Sequence, residues 1–94
     1  MRVISRRTLR EFIRQHPNAA ASLEQWYWVV RRASWRSLAE AHRIFPHADK
    51  VGRRTVFNIA GNNYRLITRI NYRGQKIYVL AVLTHAEYDK EQWK

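Results

Sequence analysis

The stretch that most restricts what this chain can fold into is Tyr64–Leu83, where apolar residues recur at the two-residue period of extended backbone. Between Tyr64 and Tyr72 the alternation is clean. Tyr64, Leu66, Thr68, Ile70 and Tyr72 share one face, and Arg65, Ile67, Arg69 and Asn71 share the other. The first set reads as the core side. Arg65 and Arg69 therefore leave from the opposite face, roughly 13 Å apart at about 3.3 Å per residue. Ile77–Leu83 is apolar on both faces, with Ile77, Val79, Ala81 and Leu83 against Tyr78, Leu80 and Val82, the pattern of a central strand covered on both sides. Val56 and Phe57 mark a well-packed strand ahead of them. Ala60-Gly61-Asn62-Asn63 and Arg73-Gly74-Gln75 carry the Gly and Asn that hairpin turns use for positive φ, so an antiparallel meander of three strands is expected.

Thr84-His85-Ala86-Glu87 follows at once with the spacing of a capping box, in which the Thr hydroxyl and the Glu carboxylate each accept from the other residue's backbone N–H. A helix start accounts for Thr84 and Glu87. It leaves His85, Tyr88 and Asp89 unexplained. Their i, i+3, i+4 spacing stacks them on one side of a helix, where Asp89 can orient the His85 imidazole.

Earlier in the chain, Arg2–Ser5 reads as a short edge strand. A helix follows, capped at Ser5 or by a Thr8–Glu11 box, with Leu9, Phe12 and Ile13 inward and Arg6, Arg7, Arg10 and Arg14 around its outer sides. Pro17-Asn18 ends it. A second helix spans about Ala19–Arg32 on a stripe of Leu23, Trp26, Tyr27 and Val30, leaving Trp28 and Val29 off the stripe. An exposed Trp there is a candidate partner contact. Ser34-Trp35 breaks that helix, and Ser37–Glu40 offers another capping box for a short helix to about His42. Phe45-Pro46 and Asp49–Gly52 read as a loop. The expected fold is α+β: an antiparallel sheet made of the C-terminal meander, with the N-terminal edge strand as a candidate addition, packed with N-terminal helices and a short C-terminal helix.

At 94 residues and 46% hydrophobic content, the chain suits a single globular domain over 1–94. Eighteen Lys+Arg against seven Asp+Glu give a formal charge of +11, with arginine in large excess over lysine. Such a surface favours a polyanion: RNA, DNA, a ribosome or an acidic protein. Arginine's planar fork suits phosphate better than lysine's point charge. A merely soluble basic protein is the plainer reading. With no cysteine, disulfides, thiolate metal sites and thiol nucleophiles are excluded. Met-Arg-Val-Ile-Ser-Arg-Arg lacks a signal peptide's apolar core and no run has transmembrane length, so a cytoplasmic protein without membrane contact is expected.

The chemistry narrows by residue type. His16, His42, His47 and His85 are scattered, with only His42 and His47 loosely paired, so neither a metal centre nor a cofactor is expected. Ser5, Ser22, Ser34 and Ser37 read as caps, which leaves no presented nucleophile. Three glycines do not make a phosphate-cradling loop. Metal-free RNA cleavage by the neighbouring 2′-hydroxyl does fit: it needs a base, an acid, and cations for the charge growing on phosphorus. His85 and Tyr88 are the proton-exchange candidates, and Arg65, with Arg53, Arg54 or Arg69, the phosphate clamp. The bland reading of His85 is a partly exposed side chain at a helix start. Alongside stands a non-catalytic RNA- or ribosome-binding module, in which the arginines position phosphates and Tyr88 stacks a base.

Phe57-Asn58-Ile59-x-Gly61-Asn62-x-x-Arg65-Leu66, then the Tyr78 strand, then Thr84-His85-x-Glu87-Tyr88-Asp89, resembles the HigB-type toxins of bacterial type II toxin–antitoxin modules, within the RelE-like superfamily. The likeness covers the whole chain. It implies an antiparallel sheet flanked by helices, and an mRNA interferase that cuts transcripts during translation on the ribosome. It also implies neutralisation by a HigA-like helix-turn-helix antitoxin, with operator DNA met only through the toxin–antitoxin complex. The arginines of the first helix are then either a solvated face or a surface for nucleic acid or antitoxin. Carried over by position, Arg65 is the phosphate and transition-state contact, His85 and Tyr88 are the proton-transfer and base-stacking groups, and Asp89 is accessory. Related chains often place a basic residue on the last strand where Leu80 stands here. Arg69, as an accessory, Arg53 and Lys76 are the candidates to replace it, and Arg53, Arg54 and Lys76 are the expected RNA-binding side chains.

Overall fold

In the computed structural model, which describes residues 1–91 and 93, the alternating stretch forms the middle of the sheet. The strands are β1 (Arg2–Ile4), β2 (Asp49–Val51), β3 (Arg54–Ile59), β4 (Tyr64–Asn71) and β5 (Lys76–Thr84), and they lie in the order β1-β5-β4-β3-β2. The meander β3-β4-β5 is antiparallel, as the turn residues indicate. Two features depart from the expected sheet. The N-terminal edge strand β1 pairs with β5 in parallel, making the sheet mixed. Its helices lie between it and the meander, the long connection that a parallel pair requires. Asp49–Val51, expected as loop, pairs with Val56–Arg54 as a fifth strand. A three-residue edge strand with two exposed residues has no alternation to read.

The helices α1 (Arg6–Gln15), α2 (Ala20–Arg32), α3 (Leu38–His42) and α4 (His85–Asp89) fall where expected, with a 3₁₀ turn at Pro17–Ala19. Leu9 of α1 and Leu23, Trp26, Tyr27 and Val30 of α2 are buried, while Phe12 and Ile13 pack against the core from its rim. The proposed caps upstream do not form. Ser5 sits at the N-cap of α1 with φ 74° and no side-chain capping bond. Thr8 lies inside the first turn, its N–H donating to the Ser5 carbonyl at 3.0 Å, and Glu11 pairs with Arg7 at 2.9 Å instead. Ser37 precedes α3 in extended backbone, again without a side-chain bond.

Phe57 is the hub of the core. Trp26, Phe45 and Trp35 surround it with ring centroids at 5.5, 5.4 and 6.4 Å. Trp35 is 4% exposed and belongs to this cluster, whereas Trp28 is 45% exposed, stacked beneath the guanidinium of Arg31 at 5.5 Å. Thr68 is fully buried on the same face, its hydroxyl donating to the Thr55 carbonyl at 2.7 Å.

The reading of Ile77–Leu83 as a strictly alternating, doubly covered strand is corrected at Leu80. The register jumps from Ile67↔Ala81 to Thr68↔Val79, so Leu80 is an extra residue on β5. Beyond it the faces exchange: Ile77, Val79 and Val82 are buried, and Leu80 is 46% exposed. The second turn also differs. Gln75, not Gly74, takes the left-handed conformation with φ 55°, its side chain anchored by donating to the carbonyls of Trp35 and Tyr72, each at 2.7 Å. A Cβ at Gly74 would lie 2.9 Å from the amide nitrogen of the exposed Asn71 side chain, which would have to shift. No helix among the described residues is long and apolar enough to cross a membrane.

Phe57→Ala is expected to cost about 3–5 kcal/mol through the cavity left among three rings. Leu80→Ser should stay within about 0.5 kcal/mol. Urea denaturation of both variants measures the contrast, and equal costs would contradict the assigned bulge.

Candidate active site

The register of β4 on β5 decides which side chains can meet. Tyr64 pairs with Thr84 and Arg65 with Leu83, so the β3–β4 turn lies beside the start of α4. There the capping box is complete: Thr84 Oγ1 accepts from the Glu87 N–H at 3.2 Å, and Glu87 Oε1 accepts from the Thr84 N–H at 3.0 Å. The backbone N–H of His85 donates to the Asn63 carbonyl at 3.1 Å. One residue earlier in the same turn, the Asn62 carbonyl accepts from Arg65 Nη1 at 3.0 Å, and the Tyr64 carbonyl accepts from it at 3.1 Å. Adjacent residues of a single turn thus hold the Arg65 guanidinium and the first residue of α4.

From that start the helix sets the remaining groups. His85 Nδ1 lies 2.9 Å from Asp89 Oδ2, one turn on, both side chains being at least half exposed. The carboxylate accepts from Nδ1–H, which assigns the tautomer with Nε2 as the proton acceptor of the neutral ring. Tyr88 sits with the Arg65 Cζ 5.5 Å from its ring centroid, within cation–π reach. Its ring also stacks on Trp93 at 4.8 Å and 18°, and the Trp93 indole N–H donates to the Tyr88 carbonyl at 2.9 Å. Trp93 is the site residue that the sequence did not reveal, because a single aromatic after a short helix belongs to no motif. Arg54 donates to the Trp93 carbonyl and so reaches the site indirectly.

Arg65, His85, Tyr88 and Asp89 are therefore brought together, with Arg54 attached through Trp93. Arg53 lies next to Arg54 in a cavity that Trp93 also walls. Arg69 stands further along β4, opposite Tyr78, exposed in a neighbouring groove with Arg36, Lys50 and Arg53. Lys76 opens β5 beside Arg2 and Asn71, at the far end of that strand, roughly 30 Å from His85 at about 3.3 Å per residue. Leu80 puts an apolar side chain into a groove that Arg69 and Tyr78 also line. Two other histidines have structural partners: His16 stacks on Phe12 at 4.4 Å, and His42 Nε2 lies 2.6 Å from the Ala48 carbonyl.

The arrangement puts an imidazole backed by a carboxylate on the same short helix as a phenol ring that lies under a guanidinium. Groups of these types can exchange protons and neutralise a phosphate. A family model described as the HigB toxin, RelE-like toxic component of a toxin–antitoxin system, matches residues 19–91. The mRNA interferase HigB of Escherichia coli O6:H1 (strain CFT073) is 33% identical over 93 residues, covering 96% of this chain and 90% of that protein. The mRNA interferase toxin HigB of Escherichia coli K12 is 25% identical over 92 residues, covering 95% and 88%.

The backbone N–H of Thr84 donating to the Glu87 carboxylate holds its pKa below the usual carboxylate value. A group whose pKa falls on folding contributes stability that is full above its unfolded pKa and is lost as pH drops through the folded one. The urea midpoint of Glu87→Ala should therefore lie below that of the wild type at neutral pH and approach it on acidification. A gap that stays undiminished in acid would refute the assigned bond. Thr84→Ala should cost about 1 kcal/mol by the same measurement.

Proposed function

The chain belongs to the HigB family of RelE-like toxins, and on that premise we propose that it silences translation as an mRNA interferase, a metal-independent endoribonuclease whose whole span, 1–94, acts as one toxin domain. The observation that carries this reading is the anchoring of Arg65 and His85 on neighbouring residues of the Asn62–Asn63 turn, with Tyr88 beneath the guanidinium. A base removes the 2′-hydroxyl proton, the oxygen attacks the adjacent phosphorus, and the 5′ oxygen leaves with a proton from the acid. The products are a 2′,3′-cyclic phosphate and a 5′-hydroxyl. His85 and Tyr88 divide the two proton transfers. Asp89 positions the imidazole, and Arg65 neutralises the charge that grows on the phosphoryl oxygens, where a preorganised donor acts most strongly.

The substrate we assign is mRNA in translation on the ribosome, and the site of action the cytoplasm. The neutralising partner is a HigA-like helix-turn-helix antitoxin, through which alone the toxin meets operator DNA. The charge of +11 supports a polyanionic target.

Expression of the wild type should arrest growth and generate 2′,3′-cyclic-phosphate ends within codons, and the cleavage should withstand chelator. The His85→Ala, Tyr88→Phe pair should abolish both effects. Growth arrest that survives the pair with transcripts intact would instead support a non-catalytic ribosome-binding module. Arg65→Ala should lower kcat about 10²–10³-fold, the usual loss for one transition-state donor. A change confined to KM would make Arg65 a substrate clamp.

A further inference from the structure

The geometry points to an RNA track that leaves the candidate active site along Trp93, crosses the β2–β3 turn, and holds a base and flanking phosphates of the strand outside the scissile position. This rests on the nuclease reading for its substrate and extends it to residues with no part in the chemistry. The track begins where the Tyr88 ring ends. The indole stacked on Tyr88 is also one wall of a cavity of about 390 Å³, whose other walls are Val51, Gly52, Arg53 and Arg54. That size lies within the range of about 300–1,000 Å³ found for small-ligand sites. Arg54 fixes the wall by donating to the Trp93 carbonyl.

Arg53 connects the cavity to a second hollow. Successive residues of a strand point to opposite faces. Gly52, at φ 61°, turns the chain into β3, so Arg54 serves the Trp93 side while Arg53 also reaches the other. There a groove of about 630 Å³ is lined by Arg36, Lys50, Arg53 and Arg69, with Ser37 and the Tyr72 ring also in its walls. No Asp or Glu lines either hollow among the described residues. Arg65 and Arg69 are separated by roughly 13 Å along β4, more than neighbouring phosphates span. Arg69 therefore addresses a different nucleotide from Arg65.

Single-stranded nucleic acid is the ligand these features suit. A flat ring receives a base, and guanidinium groups spaced along a groove receive successive phosphates. An acidic peptide would use the cations and leave the indole without a counterpart. Beyond Arg53, which the two hollows share, Arg36, Lys50 and Arg69 of the second groove follow the strand past the stacked base.

The test uses the full chain carrying His85→Ala, so that RNA is bound and not cut, with fluorescence anisotropy of a single-stranded trinucleotide and a dodecanucleotide across a salt series. Trp93→Ala should weaken the dodecanucleotide by about ten-fold or more, the scale of losing one stacked base, and Trp93→Phe should restore it. The Arg36→Gln, Lys50→Gln pair should leave the trinucleotide unchanged. On the dodecanucleotide it should reduce the slope of log affinity against log salt by about 1.4, two single-strand phosphates at about 0.7 each. Equal losses on both lengths, no loss on either, or no binding of the dodecanucleotide at low salt overturn the track. So does equal competition by polyglutamate that is insensitive to Trp93→Ala, which would assign the groove to an acidic protein. Binding is read without cleavage, so failure here leaves the roles of His85 and Tyr88 standing, and their failure leaves the track standing.

Discussion

The ladder between β4 and β5 is the interaction on which the molecule depends. It runs from Tyr64↔Thr84 to Asn71↔Lys76 and occupies the middle of the sheet. One side of it, through Leu66, Thr68, Ile77 and Val79, forms the floor beneath α1 and α2. The other side carries Arg65 and Arg69. Hydrogen bonding along two strands thus serves packing and function together, and a slip of one residue would reverse both faces at once.

The end of that ladder is where the site is built. A capped helix of five residues has little stability of its own, and α4 is held by its attachment to the Asn62–Asn63 turn. Exposure of His85 and Asp89 keeps the pair in contact with solvent, and so open to a ligand as large as a nucleic acid. Tyr88 is the better protected member, packed against both the guanidinium and the indole. Rigidity therefore comes from the aromatic and backbone partners, and access to solvent from the exposed ones.

Much of this was legible because it is local. The alternation of Tyr64–Tyr72, the stripe Leu23–Val30 and the Thr84–Glu87 box each involve residues within one element, and each appears in the structure as read. The grouping of Arg65 with His85 depends on a register between strands, which no single element encodes. The unread features depend on partners far along the chain. Nothing in Asp49-Lys50-Val51 announces its pairing with β3, and nothing in Arg2-Val3-Ile4 gives the direction of its pairing with β5. Ser5 and Thr8 match the composition of caps, yet the backbone conformation at Ser5 excludes its hydroxyl from that role. Leu80 was opaque for another reason: a bulge is a property of two strands, and in an apolar run no residue type marks it.

That bulge has a consequence for how the chain can vary. On its N-terminal side β5 is tied to β1 and to the floor of the core, and on its C-terminal side it leads into α4. The unpaired residue uncouples the phase of the two halves, as a slipped stitch lets two rows of knitting run out of step. Sequence drift in the scaffold half need not be copied into the half that leads to His85, so the fold can change its frame while keeping the start of its last helix in place.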